Sequence, residues 1–127
     1  MSDTPMPAAG QRDPVLPQDY SGPVVAVIRL RARPGQAETA ERALLKIVDP
    51  IRANLDCVEF RILRDRHDAH VFTLLEHWVS LEATVAHGKR DYMAEYTAAK
   101  NDIFEDVTPS LVEEIHPAAA AVQQQAR

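Results

Sequence analysis

An α+β fold of order β-α-β-β-α-β is what this chain predicts, and three features predict it. Val24 to Ala32, Cys57 to Arg64 and Val71 to Val79 alternate with a period of two and are rich in β-branched and aromatic residues, the pattern of half-buried strands. Gln36 to Asn54 and the run beginning at Leu81 instead carry apolar residues at helical spacing. The connectors between these segments are short, as they are in one compact unit.

The first strand, Val24 to Ala32, turns Val24, Ala26, Ile28 and Leu30 to one side and Val25, Val27, Arg29 and Arg31 to the other. Arg33-Pro34-Gly35 breaks it, because proline cannot donate to a ladder and glycine permits the turn. In the helix that follows, Leu44, Ile47, Val48, Ile51 and Leu55 make one apolar stripe, and Glu38 can pair with Arg42 on the wet side. Pro50 falls inside this helix and is expected to kink it or end its regular part. In the second strand Val58, Phe60 and Ile62 share a face opposite Glu59 and Arg61, and Asp65 to His70 is a polar hairpin connector. The third strand ends at Ser80, which offers an N-cap to a helix starting at Leu81. Gly88 is expected to interrupt that helix, which resumes through Tyr92, Met93, Tyr96, Ala99 and Ile103. Thr108-Pro109 should end it, leaving Leu111 to Ile115 as a short last strand.

This order is the ferredoxin-like arrangement, an antiparallel four-stranded sheet with two helices on one face. Val24, Ala26, Ile28, Leu30, Val58, Phe60, Ile62, Phe72 and Leu74 form one nearly pure apolar face, which should take the helices. The opposite face mixes Val25, Val27, Thr73, Leu75 and Val79 with Arg29, Arg31, Glu59, Arg61 and His77. A bare sheet would not usually leave that much apolar surface to water, so the same face of a second copy is the expected cover, making a homodimer.

At 127 residues the chain is one domain, read as residues 24–116, with a disordered N-terminal arm (1–23, rich in proline) and a flexible C-terminal tail (117–127). A net charge of -5 and the lack of any long basic run argue against nucleic acid or an anionic membrane surface as a partner. No apolar stretch approaches the roughly 20 residues of a membrane span. The single cysteine, Cys57, and the absence of a signal pattern fit a cytoplasmic protein. His67 and His70 flank Asp68 in an exposed loop with no second cluster, so no metal site is expected there.

The chain resembles the antibiotic biosynthesis monooxygenase domain family of the dimeric α+β barrel superfamily, over about Val24 to Ile115. The resemblance rests on Arg33-Pro34-Gly35 before the first helix and on the run from Cys57 to Asp65. Its strongest part is Phe72-Thr73-Leu74-Leu75-Glu76-His77-Trp78-Val79-Ser80, followed by Leu81-Glu82-Ala83 and Ala86-His87. Asn54-Leu55-Asp56 departs from it, at a loop where the family commonly has a Pro-Gly turn. The resemblance implies cofactor-free oxidation of phenols, quinols or anthrone-type polyketides by dioxygen, as in some relatives. Others bind and degrade haem, using an asparagine on the first strand, where this chain has Val24, Ala26, Ile28 and Leu30 facing inward. A non-catalytic barrel that binds a small apolar ligand is a third reading, since fold alone does not choose a function.

The candidate site gathers at the corner between the third strand and its helix. Glu76 is a carboxylate on the apolar, helix-facing side and needs a partner or a proton there. Beside a pocket its pKa would rise and suit it to take a proton from a phenol; its plainer role is a structural hydrogen bond. Trp78 shares that face, as core or, as the resemblance implies, as a pocket wall that stacks on a flat aromatic substrate. The resemblance also puts His87 forward as the general base that removes the substrate's hydroxyl proton, leaving an anion able to give an electron to dioxygen. Phe72, on the same strand face, and Tyr92 and Tyr96, four apart on one helix face, are expected core residues and candidate substrate contacts.

Overall fold

The computed structural model describes residues 22–115, so the expected terminal arm and tail lie, save for Gly22 and Pro23, outside the described residues. The elements are β1 (Val24–Ala32), α1 (Ala37–Ala53), β2 (Cys57–Arg64), β3 (Val71–Trp78), α2 (Leu81–Gly88), a single 3₁₀ turn (Asp91–Met93), α3 (Ala94–Ile103) and β4 (Phe104–Val112). All neighbours in the sheet are antiparallel, in the order β2-β3-β1-β4, so the two halves interleave with β1 and β3 central. This is the ferredoxin-like α+β fold that the alternation pattern predicts.

Between β1 and α1, Gln36 N–H donates to the Arg33 carbonyl across Pro34 and Gly35, and Gly35 has a φ of +79°. Proline second and glycine third is the demand of a turn whose third residue must be left-handed. Arg33 then reaches across the fold and donates from Nε and Nη2 to the Asn101 carbonyl, satisfying an acceptor in the last turn of α3.

Four local expectations are corrected. α1 continues through Pro50 to Ala53, close to the expected end, but its apolar stripe stops at Ile51, and Leu55 is 96% exposed beyond the Asn54 cap. Val58 is not on the core face. The β2–β3 register shifts between Cys57 and Glu59, so the bulge turns Val58 outward (54% exposed) while Cys57 packs against the core. The helix after Gly88 ends at Ile103 rather than at Thr108-Pro109. The last strand accordingly starts at Phe104, not Leu111, and includes Pro109 opposite Ile28. Proline is tolerated there because β4 is an edge strand and one of its sides needs no ladder donor.

The core lies between the sheet and the helices and includes Leu30, Leu44, Ile51, Phe60, Phe72 and Trp78, each nearly fully buried. On the far side of the sheet Val25, Val27, Thr73, Leu75 and His77 are only half-buried, and Val79 and Val112 are exposed. No helix among the described residues is long and apolar enough to cross a membrane.

Candidate functional site

Alternation puts Glu76 and Trp78, two residues apart, on the same inward face of β3. In the ladder Glu76 lies between Ala26 and Phe60, and Trp78 between Val24 and Cys57; none of these flanking side chains carries an oxygen or nitrogen. The carboxylate therefore turns along its own strand, where Trp78 Nε1–H donates to Glu76 Oε1 at 2.9 Å. Trp78 is fully buried and Glu76 is 7% exposed. Burial pushes the Glu76 carboxyl above its ordinary value, with the indole hydrogen bond partly opposing the rise.

Ser80 turns the chain back over this pair. Its Oγ accepts from Ala83 N–H at 3.0 Å, the N-cap expected of it, and one short helix later His87 returns above the indole. The imidazole stacks on Trp78 with ring centroids 4.4 Å apart and planes 29° apart. Beyond Gly88 the bonds tighten to i−3 spacing, Lys89 N–H to Ala86 and Arg90 N–H to His87, and Met93 N–H to Arg90 closes the 3₁₀ turn. That turn presents the Tyr92 hydroxyl 2.8 Å from His87 Nδ1, and Asn54 Nδ2, from the cap of α1, donates to the same hydroxyl at 3.1 Å. Burial lowers the His87 pKa to about 4, so near neutral pH the ring is uncharged.

The fold thus brings together Glu76, Trp78, His87 and Tyr92. Tyr96 joins them through charge: burial first, and the Glu76 carboxylate second, raise its pKa, so it remains a protonated donor. Burial, and after it Glu76, also raises the Cys57 thiol. Phe72 does not join the group. It sits six residues back along β3, roughly 20 Å at strand rise, with the Arg64 guanidinium 5.4 Å from its ring centre.

The sequence places Asn54 at the end of the first helix and in the loop that departs from the family pattern, and assigns it no role at the site. Its contact spans 38 positions to Tyr92, and no periodicity signals a cap meeting a distant 3₁₀ turn.

The open space also differs from expectation. A cleft of about 520 Å³ runs between α1 and α3, with Arg42, Lys46, Tyr92, Glu95 and Tyr96 among the residues of its wall; Glu76, Trp78 and His87 do not line it. Lys46 Nζ and Glu95 Oε1 are 3.1 Å apart across its mouth. The two tyrosines are thus the groups that connect the cleft to the buried cluster. Among the described residues no three of His, Cys, Asp and Glu gather as metal ligands would.

Residues 23–99 match the family described as antibiotic biosynthesis monooxygenase. Among solved structures, the Pseudomonas aeruginosa protein PA3566 is similar at 27% identity and a TM-score of 0.71, over 76% of this chain and 97% of that one. A Caulobacter crescentus protein carrying the same family designation matches at 22% identity and a TM-score of 0.69, over 76% and 93%. The Mycobacterium tuberculosis protein Rv0793 matches at 19% and 0.70, over 76% and 99%. No curated protein matches the chain.

Proposed function

The chain belongs to the antibiotic biosynthesis monooxygenase family, and from that membership we propose that it is a cofactor-independent monooxygenase oxidising a small electron-rich aromatic with dioxygen. A monooxygenase-type function rests on the family itself. The finer reading, a quinol, phenol or anthrone-type polyketide as substrate, rests on what the site can do. The observation that carries it is Tyr92, which lines the cleft while its hydroxyl touches His87 Nδ1 at 2.8 Å.

In this reading the substrate lies in the cleft against Tyr92 and Tyr96. Its acidic proton passes to the Tyr92 oxygen as the Tyr92 proton moves to Nδ1, so His87 is the base and Tyr92 the relay. The remaining substrate anion gives an electron to dioxygen, and the two fragments combine at carbon. For an anthrone methylene the sum is CH₂ plus O₂ giving C=O plus H₂O. The carbon loses the four electrons that the two oxygen atoms gain, so no outside reductant enters. Charging His87 where its pKa is about 4 is costly, by roughly 3 kcal/mol relative to an ordinary histidine. The transfer is favourable only while the new anion stays beside the imidazolium, which ties the base to a closed, water-poor site. Glu76 keeps the indole fixed under the imidazole through its hydrogen bond.

The half-covered far face of the sheet supports a homodimer, with Val25, Val27 and Leu75 at the centre of the contact. A second reading, a ligand-binding protein without turnover, draws on the tight Trp78–His87 stack, which leaves that indole face no room for substrate.

The test is oxygen uptake by metal- and flavin-free protein given quinol and anthrone substrates, with an absorption spectrum before and after adding hemin. Uptake with an oxygenated product supports the proposal. Ligand binding without uptake supports the second reading, and hemin turnover in place of quinol oxidation overturns both.

A further inference from the structure

The hydrogen bonds around Tyr92 have a direction, and it begins at the backbone. Asp56 N–H donates to Asn54 Oδ1 at 3.0 Å. A backbone N–H can only donate, so the amide oxygen of Asn54 must face Asp56 and its NH₂ must face away. The NH₂ lies 3.1 Å from the Tyr92 oxygen and can only donate to it. A phenol oxygen carries one proton and two lone pairs; Asn54 donates to one lone pair, the other is left for an incoming substrate proton, and the phenol's own proton needs an acceptor. The remaining partner, His87 Nδ1 at 2.8 Å, is then the acceptor of the Tyr92 proton. We infer that Asn54 is a positioning residue, which aims the Tyr92 hydroxyl proton at His87 Nδ1 and so holds the neutral imidazole with its own proton on Nε2.

The inference rests on the function proposed above only for its purpose. If Tyr92 relays a substrate proton to Nδ1, that nitrogen must be unprotonated beforehand, and the Asn54 amide is what keeps it so. The same N–H also stabilises negative charge on the Tyr92 oxygen while its proton is away. A change at Asn54 should therefore lower kcat while leaving KM close to its value, since Asn54 is not among the residues lining the cleft.

Asn54→Asp separates this role from a structural one. The substituted side chain keeps an oxygen for Asp56 N–H but presents an acceptor, not a donor, to Tyr92. The chain should then reverse, Tyr92 donating to the introduced carboxylate and His87 Nδ1–H donating to Tyr92. Long-range ¹H–¹⁵N correlation spectra of ¹⁵N-labelled, substrate-free protein read the tautomer directly, with the His87 signals assigned by their loss in His87→Gln. The expected result is an Nε2–H imidazole in the parent protein, Nδ1–H in Asn54→Asp and a mixture in Asn54→Ala. Where an active substrate is in hand, kcat should fall on the order of tenfold in Asn54→Ala, the worth of one hydrogen bond. An Nδ1–H imidazole in the parent protein overturns the inference. So does an Nε2–H imidazole that persists unmixed in Asn54→Asp or, should that variant not fold, in Asn54→Ala. Because the spectra need no substrate, the expected tautomers with no oxygen uptake would sink the proposed function and leave this inference standing.

Discussion

The indole of Trp78 and the imidazole of His87 lie nearly parallel with their centres 4.4 Å apart, although one ends a strand and the other stands near the end of the next helix. Trp78 is the sole tryptophan of the chain, so its fluorescence reports this site, the stacked imidazole and the hydrogen-bonded Glu76 together. Protonated imidazole quenches a stacked indole more strongly than the neutral ring does. Emission should therefore fall as pH drops through about 4, the value to which burial lowers His87, and His87→Gln should remove the step. A step that survives in His87→Gln would assign the quenching to another group.

Stability should follow pH with two opposed contributions. His87 is lowered from 6.5 to about 4 in the folded protein, so between these values the unfolded chain binds more protons. Its effect is a gain in stability as pH rises across that window, amounting to about 3 kcal/mol, and a full loss below it. Glu76 is shifted upward, so it favours the folded state below its unfolded value and loses that contribution as pH rises through the raised one. Denaturant titrations from pH 4 to pH 7 should show a shallower acid limb in His87→Gln. In Glu76→Gln the rise should be steeper. Parallel curves for all three proteins would contradict both shifts.

Trp78→Ala should cost about 3–5 kcal/mol, the usual loss for a large buried aromatic. Trp78→Phe keeps most of the volume but leaves Glu76 Oε1 without its donor, and should cost about 1–3 kcal/mol. Urea midpoints measure both. Both variants lose the hydrogen bond, so an alanine variant no less stable than the phenylalanine one would contradict the packing role given to the ring.

Tyr92→Phe removes the hydroxyl that Asn54 and His87 share. Loss of a proton-transfer group typically costs about 10²-fold or more in rate, so oxygen uptake should fall by that order while binding of a substrate analogue persists. Uptake at the parent rate would take Tyr92 off the proton's route.

The far side of the sheet is tested by Leu75→Glu, placed in register with Val27 and Arg61 and away from the helices. A charge there should convert a dimer to a monomer in light scattering, with far-UV circular dichroism unchanged. A parent protein that already sediments as a monomer would remove the dimer from the proposal.

Periodicity by itself determined much of this protein. Side chains alternate along any strand and recur at 3.6 along any helix, so the limits of β1 and β2, the Ser80 cap, the break after Gly88 and the shared face of Glu76 and Trp78 could all be read locally. Tertiary structure alone decided the rest. The bulge at Val58 reflects how β2 meets β3, and Pro109 is tolerated only because β4 ends at the edge of the sheet. That His87 rests on Trp78, that Asn54 reaches Tyr92, and that the cleft opens between α1 and α3 follow from packing elements distant in the chain, where each side chain settles into whatever space and hydrogen-bond partners the others leave.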